Sequence, residues 1–176
     1  INTQELTSED IRKIERQVIN TRGELLFSKA IIFFEGETEE QALPIFAEHF
    51  FKKPLVEIGI DFVGVGGHGN YLPFLRVAEA LKIPWFILGD GGKDAIESIK
   101  KALKKLYNRE IEIEKESNIF ILDNECDFEK YLLKTGYLDE IKSAFVKLHS
   151  HAYLEDEIRK KDGTKRERIK TDAVCD

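Results

Sequence analysis

Short apolar runs in this chain lead directly into residues that can do chemistry. Ala30–Phe34 (AIIFF) continues into Glu35-Gly36-Glu37-Thr38-Glu39, and Pro84–Leu88 (PWFIL) into Gly89-Asp90-Gly91-Gly92-Lys93-Asp94. Asn118–Leu122 (NIFIL) continues into Asp123-Asn124-Glu125-Cys126-Asp127-Phe128-Glu129. Converging carboxylates repel and raise one another's pKa unless a cation lies between them. Carboxylates, rather than a Cys/His set, suit a hard, oxygen-seeking ion such as Mg²⁺ or Mn²⁺. Glu35 is the strongest candidate, because it continues an apolar strand where a charge costs free energy unless something binds it. Asp90 follows, and Glu39 is open to two readings. Thr38 with Gln41 has capping-box spacing, so Glu39 and Glu40 could equally complement a helix dipole, and Asp94 with Glu97 repeats that spacing.

The elements that must carry these residues follow from periodicity. Strands are expected at Ala30–Phe34, Ile60–Val65, Pro84–Leu88 and Asn118–Leu122. Helical patterns run from after the first strand to about Phe51, then over Tyr71–Leu81, Ala95–Leu106, Phe128–Leu133 and Tyr137–Leu148. An earlier helix, capped by Thr7 or Ser8, places Ile11, Ile14 and Val18 at helical spacing. Continuous apolar strands alternating with helices predict an α/β fold with a mostly parallel sheet of about four strands, helices on both faces and extra helices at both ends. In such sheets ligands bind beyond the carboxyl ends of the strands, where these acids stand, and adjacent strand ends lie about 4.8 Å apart.

The second strand ends differently, in Gly64-Val65-Gly66-Gly67-His68-Gly69-Asn70. Gly64, Gly66 and Gly69 spell G-x-G-x-x-G between a strand and a helix, and Asp90 stands 21 residues after Gly69. That is the pattern of a dinucleotide-binding module, with Asp90 as the ribose-binding acid. Against it, the pattern sits on the second strand and leaves Glu35, Glu39 and Glu129 without a role. No Walker A motif is present. His149 and His151 are a weak metal seed, because His49 and His68 are the only other histidines. Cys126 sits among acids, which raise a thiol pKa and disfavour a nucleophilic role. Trp85 lies in an apolar strand and reads as core.

The chain has 33 Asp+Glu against 27 Lys+Arg, a net charge of −6, with 42% hydrophobic and 34% charged residues. It is too apolar for a disordered polymer and too charged for a membrane protein. No run approaches the roughly 18 apolar residues of a bilayer span, and no signal peptide is evident. Two isolated cysteines, Cys126 and Cys175, give no disulfide framework, so a cytoplasmic location is expected. The acidic balance argues against nucleic acid, but Arg159 to Lys170 holds seven basic residues and two acids, a local net +5. With no Met and Ile at position 1, the sequence is expected to be a piece of a longer protein.

Three blocks carry a family resemblance: FFEGETEEQALPIFAE (Phe33–Glu48), VGVGGHGNYLPFLRVAEALKIPWFILGDGG (Val63–Gly92) and DFEKYL (Asp127–Leu132). Together they resemble the Toprim nuclease domain of OLD-family (overcoming lysogenization defect) proteins, over roughly Thr21 to Leu133. The lead-in NTRGELLFSKA (Asn20–Ala30) leans toward the Gabija anti-phage nuclease branch. The resemblance implies a metal-dependent DNA endonuclease domain that follows an ABC-type ATPase, with ATP bound only by that upstream domain. Its implied organisation is a helical lead-in over 1–29, a Toprim core over 30–135 and a C-terminal helix with a basic tail over 136–176. Two Mg²⁺ or Mn²⁺ ions are implied, with metal ligands carried onto Glu35, Glu39, Asp90 and Glu129. Where the family reads Asp-x-Asp or a longer acidic variant, this chain reads Asp90-Gly91-Gly92, and Asp94 is the candidate substitute. Glu35, Asp90 and a downstream lysine make the implied catalytic set, with Lys165 the best match and Lys170 the runner-up. DNA is the implied substrate, a homo-oligomer the implied assembly and a helicase subunit a further partner. A catalytically inert Toprim scaffold and the dinucleotide-binding module are the alternatives.

Overall fold

In the computed structural model, which describes residues 7–20, 24–67, 70–123 and 125–148, the four apolar runs are strands. They are β1 (Ala30–Phe34), β2 (Ile60–Gly64), β3 (Trp85–Gly89) and β4 (Ile119–Ile121). All pairings are parallel, in the order β2-β1-β3-β4. Phe34 pairs with Gly64 on one side of β1, and Phe33 pairs with Ile87 on the other. The helices are α1 (Ser8–Asn20), α2 (Glu37–Phe51), α3 (Leu55–Ile58), α4 (Tyr71–Leu81), α5 (Lys93–Tyr107), α6 (Phe128–Lys134) and α7 (Leu138–Leu148). The chain divides into two units, one up to Glu125 and one from Cys126. No helix among the described residues is long and apolar enough to cross a membrane.

Alternation along the strands decides which face becomes the core of the first unit. Ile31 and Phe33 of β1, Val63 of β2, and Trp85 and Ile87 of β3 are buried against Phe74 and Leu75 of α4 and Ile99 and Leu103 of α5. Each fully buried aliphatic or aromatic side chain contributes roughly 1.5–3 kcal/mol, so this one layer holds the sheet to α4 and α5. The other face carries Phe34 and Gly64. A Cβ on Gly64 would lie 3.3 Å from the Phe34 ring and 3.8 Å from a carboxylate oxygen of Glu40, which puts α2 on this side. Helices therefore cover both faces, as continuous apolar strands require.

The strand order creates a switch point. From β1 the chain leaves through α2 to β2 on one side, then crosses through α4 to β3 on the other. The carboxyl ends of β1 and β3 are neighbours there, and this is where open α/β sheets form a crevice. Close packing fixes the end of β3. A Cβ on Gly89 would lie 2.6 Å from Cδ1 of Ile99 and 2.9 Å from Cδ1 of Ile121, so only glycine lets α5 and β4 approach this closely.

Candidate metal centre

Glu35 and Asp90 are the residues that follow β1 and β3, so the topology sets both at the switch point. Asp90 is half-buried, and Glu35 has both carboxylate oxygens shut off from solvent. Glu39 stands in the first turn of α2 and is only 5% exposed, the one buried charged residue among the described positions. The turn between Glu35 and Glu39 explains the glycine in it. Gly36 has an ordinary extended backbone (φ −97°, ψ 159°), but a Cβ there would overlap the Glu39 carboxylate. Space, not backbone strain, is what this position demands, and it lets Glu39 fold back beside Glu35.

Sequence reasoning missed the fourth member. Tyr71, the first residue of α4, is fully buried, and its hydroxyl is directed at Glu35, with Asp90 and Glu39 also close enough to act on it. Its pKa lies well above the ordinary phenol value. Burial is the largest cause, followed by the charge of Glu35, the hydrogen bond to Glu35 and the charges of Asp90 and Glu39. The protonated phenol is thus a donor facing carboxylates. The available signal was a tyrosine at the entry of an otherwise apolar helix, since a buried tyrosine hydroxyl needs an acceptor. Asn70 secures the approach: its side-chain amide donates to the Gly66 carbonyl at 3.0 Å across a turn in which Gly66 and Gly67 have φ of +74° and +103°.

Three of the expected ligands therefore converge on one hydroxyl. They do not yet form a cage, for among the described residues no three His, Cys, Asp or Glu side chains are gathered as a ready metal site. Mutual repulsion of carboxylates accounts for a cluster that approaches without closing. The donor set is entirely hard oxygen, which fits Mg²⁺ or Mn²⁺.

The remaining candidates lie elsewhere. Asp94 is exposed in the first turn of α5 and is not among the acids acting on Tyr71. Glu129 is half-buried in the first turn of α6, within the unit that starts at Cys126. Lys165, Lys170, the Arg159–Lys170 basic run, His149, His151, His68 and Gly69 lie outside the described residues. Two capping expectations are corrected. The caps of α2 and α5 are Gly36 and Gly92, without side-chain cap hydrogen bonds, so neither Thr38–Gln41 nor Asp94–Glu97 acts as a capping box. The glycine loop follows β2, an edge strand, whereas a dinucleotide crevice forms at the switch point beside β1.

The architecture is an α/β Toprim-like fold. Residues 26–92 match the family described as the TOPRIM domain of overcoming lysogenization defect protein-like proteins. The C-terminal region of the Xanthomonas campestris pv. campestris OLD protein superposes with a TM-score of 0.57 at 24% identity, over 73% of this chain and 65% of that one. The C-terminal region of the Burkholderia pseudomallei OLD protein gives a TM-score of 0.53 at 21% identity, over 85% of this chain and 73% of that one. A curated relative, the uncharacterized protein YbjD of Escherichia coli (strain K12), is 26% identical over 137 residues, 76% of this chain. The chain spans 23% of that relative's length.

Proposed function

We propose that this chain is the nuclease domain of an ATPase–nuclease and hydrolyses DNA phosphodiesters with divalent metal. The observation that carries the reading is the convergence of Glu35, Glu39 and Asp90 on the buried Tyr71 hydroxyl, at the switch point of a Toprim-like sheet. Glu35 and Asp90 would hold the ion and Glu39 would complete its surroundings. When bound, a divalent ion supplies an acidified water and neutralises charge developing on a phosphoryl oxygen. The chain's own part is to hold these carboxylates ionised and oriented, and to present Gly66–Gly67 backbone beside them. Glu129 and Lys165 complete the proposed site from the C-terminal segments. An upstream ATPase domain, a homo-oligomeric assembly and an anti-phage role belong to the same proposal, since the solved relatives are C-terminal regions of OLD proteins. The lean toward the Gabija branch rests on Asn20–Ala30, of which residues 21–23 lie outside the described set.

Plasmid nicking by the full-length protein with Mn²⁺ tests the reading. Wild type nicks, Glu35→Ala and Asp90→Ala lose activity by at least two orders of magnitude, and Asp94→Ala retains it. Equal activity in wild type and Glu35→Ala would overturn the assignment.

A further inference from the structure

We propose that Tyr71 is a positioning residue of this metal centre, its hydroxyl donating to Glu35 and holding that carboxylate in the orientation a divalent cation needs. The inference rests on the metal-dependent reading above and adds a specific residue to it. Packing alone does not explain the hydroxyl. Tyr71 is completely buried at the start of a helix whose next inward residues, Pro73, Phe74 and Leu75, are apolar, so a phenylalanine would fill the same space. A hydroxyl in such a place is unfavourable unless it is satisfied. Among the described residues no backbone carbonyl, amide or second hydroxyl accepts from it. The groups that face it are carboxylates, Glu35 foremost and then Asp90 and Glu39.

The geometry suits a donor that orients without competing. A carboxylate offers two oxygens with about four lone-pair sites, so one bond from a phenol leaves the rest for a cation. Both Glu35 oxygens are cut off from water, so water cannot take over this orienting role. The donor is itself rigidly mounted. Its ring is locked in the core, and the turn that delivers it is tied by the Asn70 amide to Gly66. Groups that hold a metal-binding carboxylate from behind in this way typically set metal affinity within a factor of about 10–100.

Tyr71→Phe in the full-length protein removes one oxygen and keeps the packing. The readouts are Mn²⁺ binding by calorimetry, thermal unfolding of the metal-free protein, and the Mn²⁺ concentration giving half-maximal nicking. The expected result is about tenfold weaker Mn²⁺ binding or more, unfolding of the metal-free protein no earlier than wild type, and activity largely restored by excess Mn²⁺. Wild-type Mn²⁺ affinity in Tyr71→Phe, while Glu35→Ala has lost it, overturns the positioning role and leaves the metal centre standing. If wild type itself binds no Mn²⁺, the metal-centre reading falls and takes this inference with it. The double variant Glu35→Gln/Tyr71→Phe gives a second check. Both changes act on one carboxylate, so their losses in affinity fall short of additive, and full additivity contradicts the role.

Discussion

Gly36→Ala isolates the geometry of the acidic cluster, because the substitution adds a single methyl group to a backbone that accepts it. Gly36 has φ −97° and ψ 159°, so alanine brings no conformational strain. Two stability terms nearly cancel. Alanine is the poorer N-cap, a cost of roughly 0.5–1 kcal/mol, while the stiffer unfolded chain returns about 0.4–1 kcal/mol. What cannot be kept is the position of Glu39, whose carboxylate occupies the space of the new Cβ. That carboxylate is the far end of a flexible side chain, so it swings away and the backbone stays. Displacing one of three convergent acids is expected to weaken Mn²⁺ binding by at least tenfold, about 1.4 kcal/mol. Calorimetric titration with Mn²⁺, beside urea unfolding of the metal-free protein, separates the two effects. The signature is an affinity loss at a stability within about 0.5 kcal/mol of wild type. Unchanged affinity would refute the reasoning, for it would mean that Glu39 serves equally well from another position or takes no part.

Two further predictions concern the framework around the site. Gly89→Ala drives a methyl group into Ile99 and Ile121, at 2.6 and 2.9 Å, and should cost about 1–3 kcal/mol in urea unfolding. Adding Ile99→Val removes the Cδ1 that the new methyl meets, so it should recover part of that loss, and no recovery would exclude this clash as the cause. At the opposite end of the sheet, Glu79 accepts from the Trp85 indole at 2.9 Å and from the Tyr107 hydroxyl at 2.7 Å. Tyr107 is pushed up to about 12, by burial first and then by its hydrogen bond to Glu79. A phenol whose pKa is raised on folding stabilises the protein fully below its unfolded value near 10, and that contribution is lost as the pH climbs through about 12. Tyrosinate absorbance in Glu79→Gln should show Tyr107 titrating part of the way back toward 10, burial keeping it from returning fully, and an unmoved titration would contradict the Glu79 contribution.

The framework was legible in the sequence because each of its strands is a short apolar run bounded by glycine, proline or acid. β1 and α4 fall on the expected residues, and β2, β3 and β4 differ only at their ends. α3 was not legible, since the four residues Leu55–Ile58 are too few to display a helical period. The site was legible where charge contradicted its surroundings, as at Glu35 after AIIFF. It was obscured where two explanations share one spacing. Thr38–Gln41 and Asp94–Glu97 both spell a capping box, but α2 and α5 start at Glu37 and Lys93 behind glycine caps. Glu39 is thereby turned inward, while Asp94 remains exposed. Tyr71 was hidden for a different reason: in an apolar helix an aromatic ring accounts for itself, and only the direction of its hydroxyl reveals the second role.

The same geometry bears on how much charge the cluster can hold. Glu35, Glu39 and Asp90 bring three negative charges to the switch point. α2 and α5 both begin next to them, each with a helix N-terminus equivalent to roughly half a positive charge. Together these termini offset about one charge, and the Tyr71 hydroxyl adds a dipole but no net charge. A residue of about −2 is left in a poorly solvated place, which matches one divalent cation. Two-metal hydrolysis as proposed would need carboxylates beyond these three. The sequence supplies Asp94 and Glu129 for that purpose, but Asp94 lies exposed on the first turn of α5. Glu129 is thus the stronger candidate to complete a second ion, and the Asp90-Gly91-Gly92 departure from the family pattern falls on the second ion rather than the first.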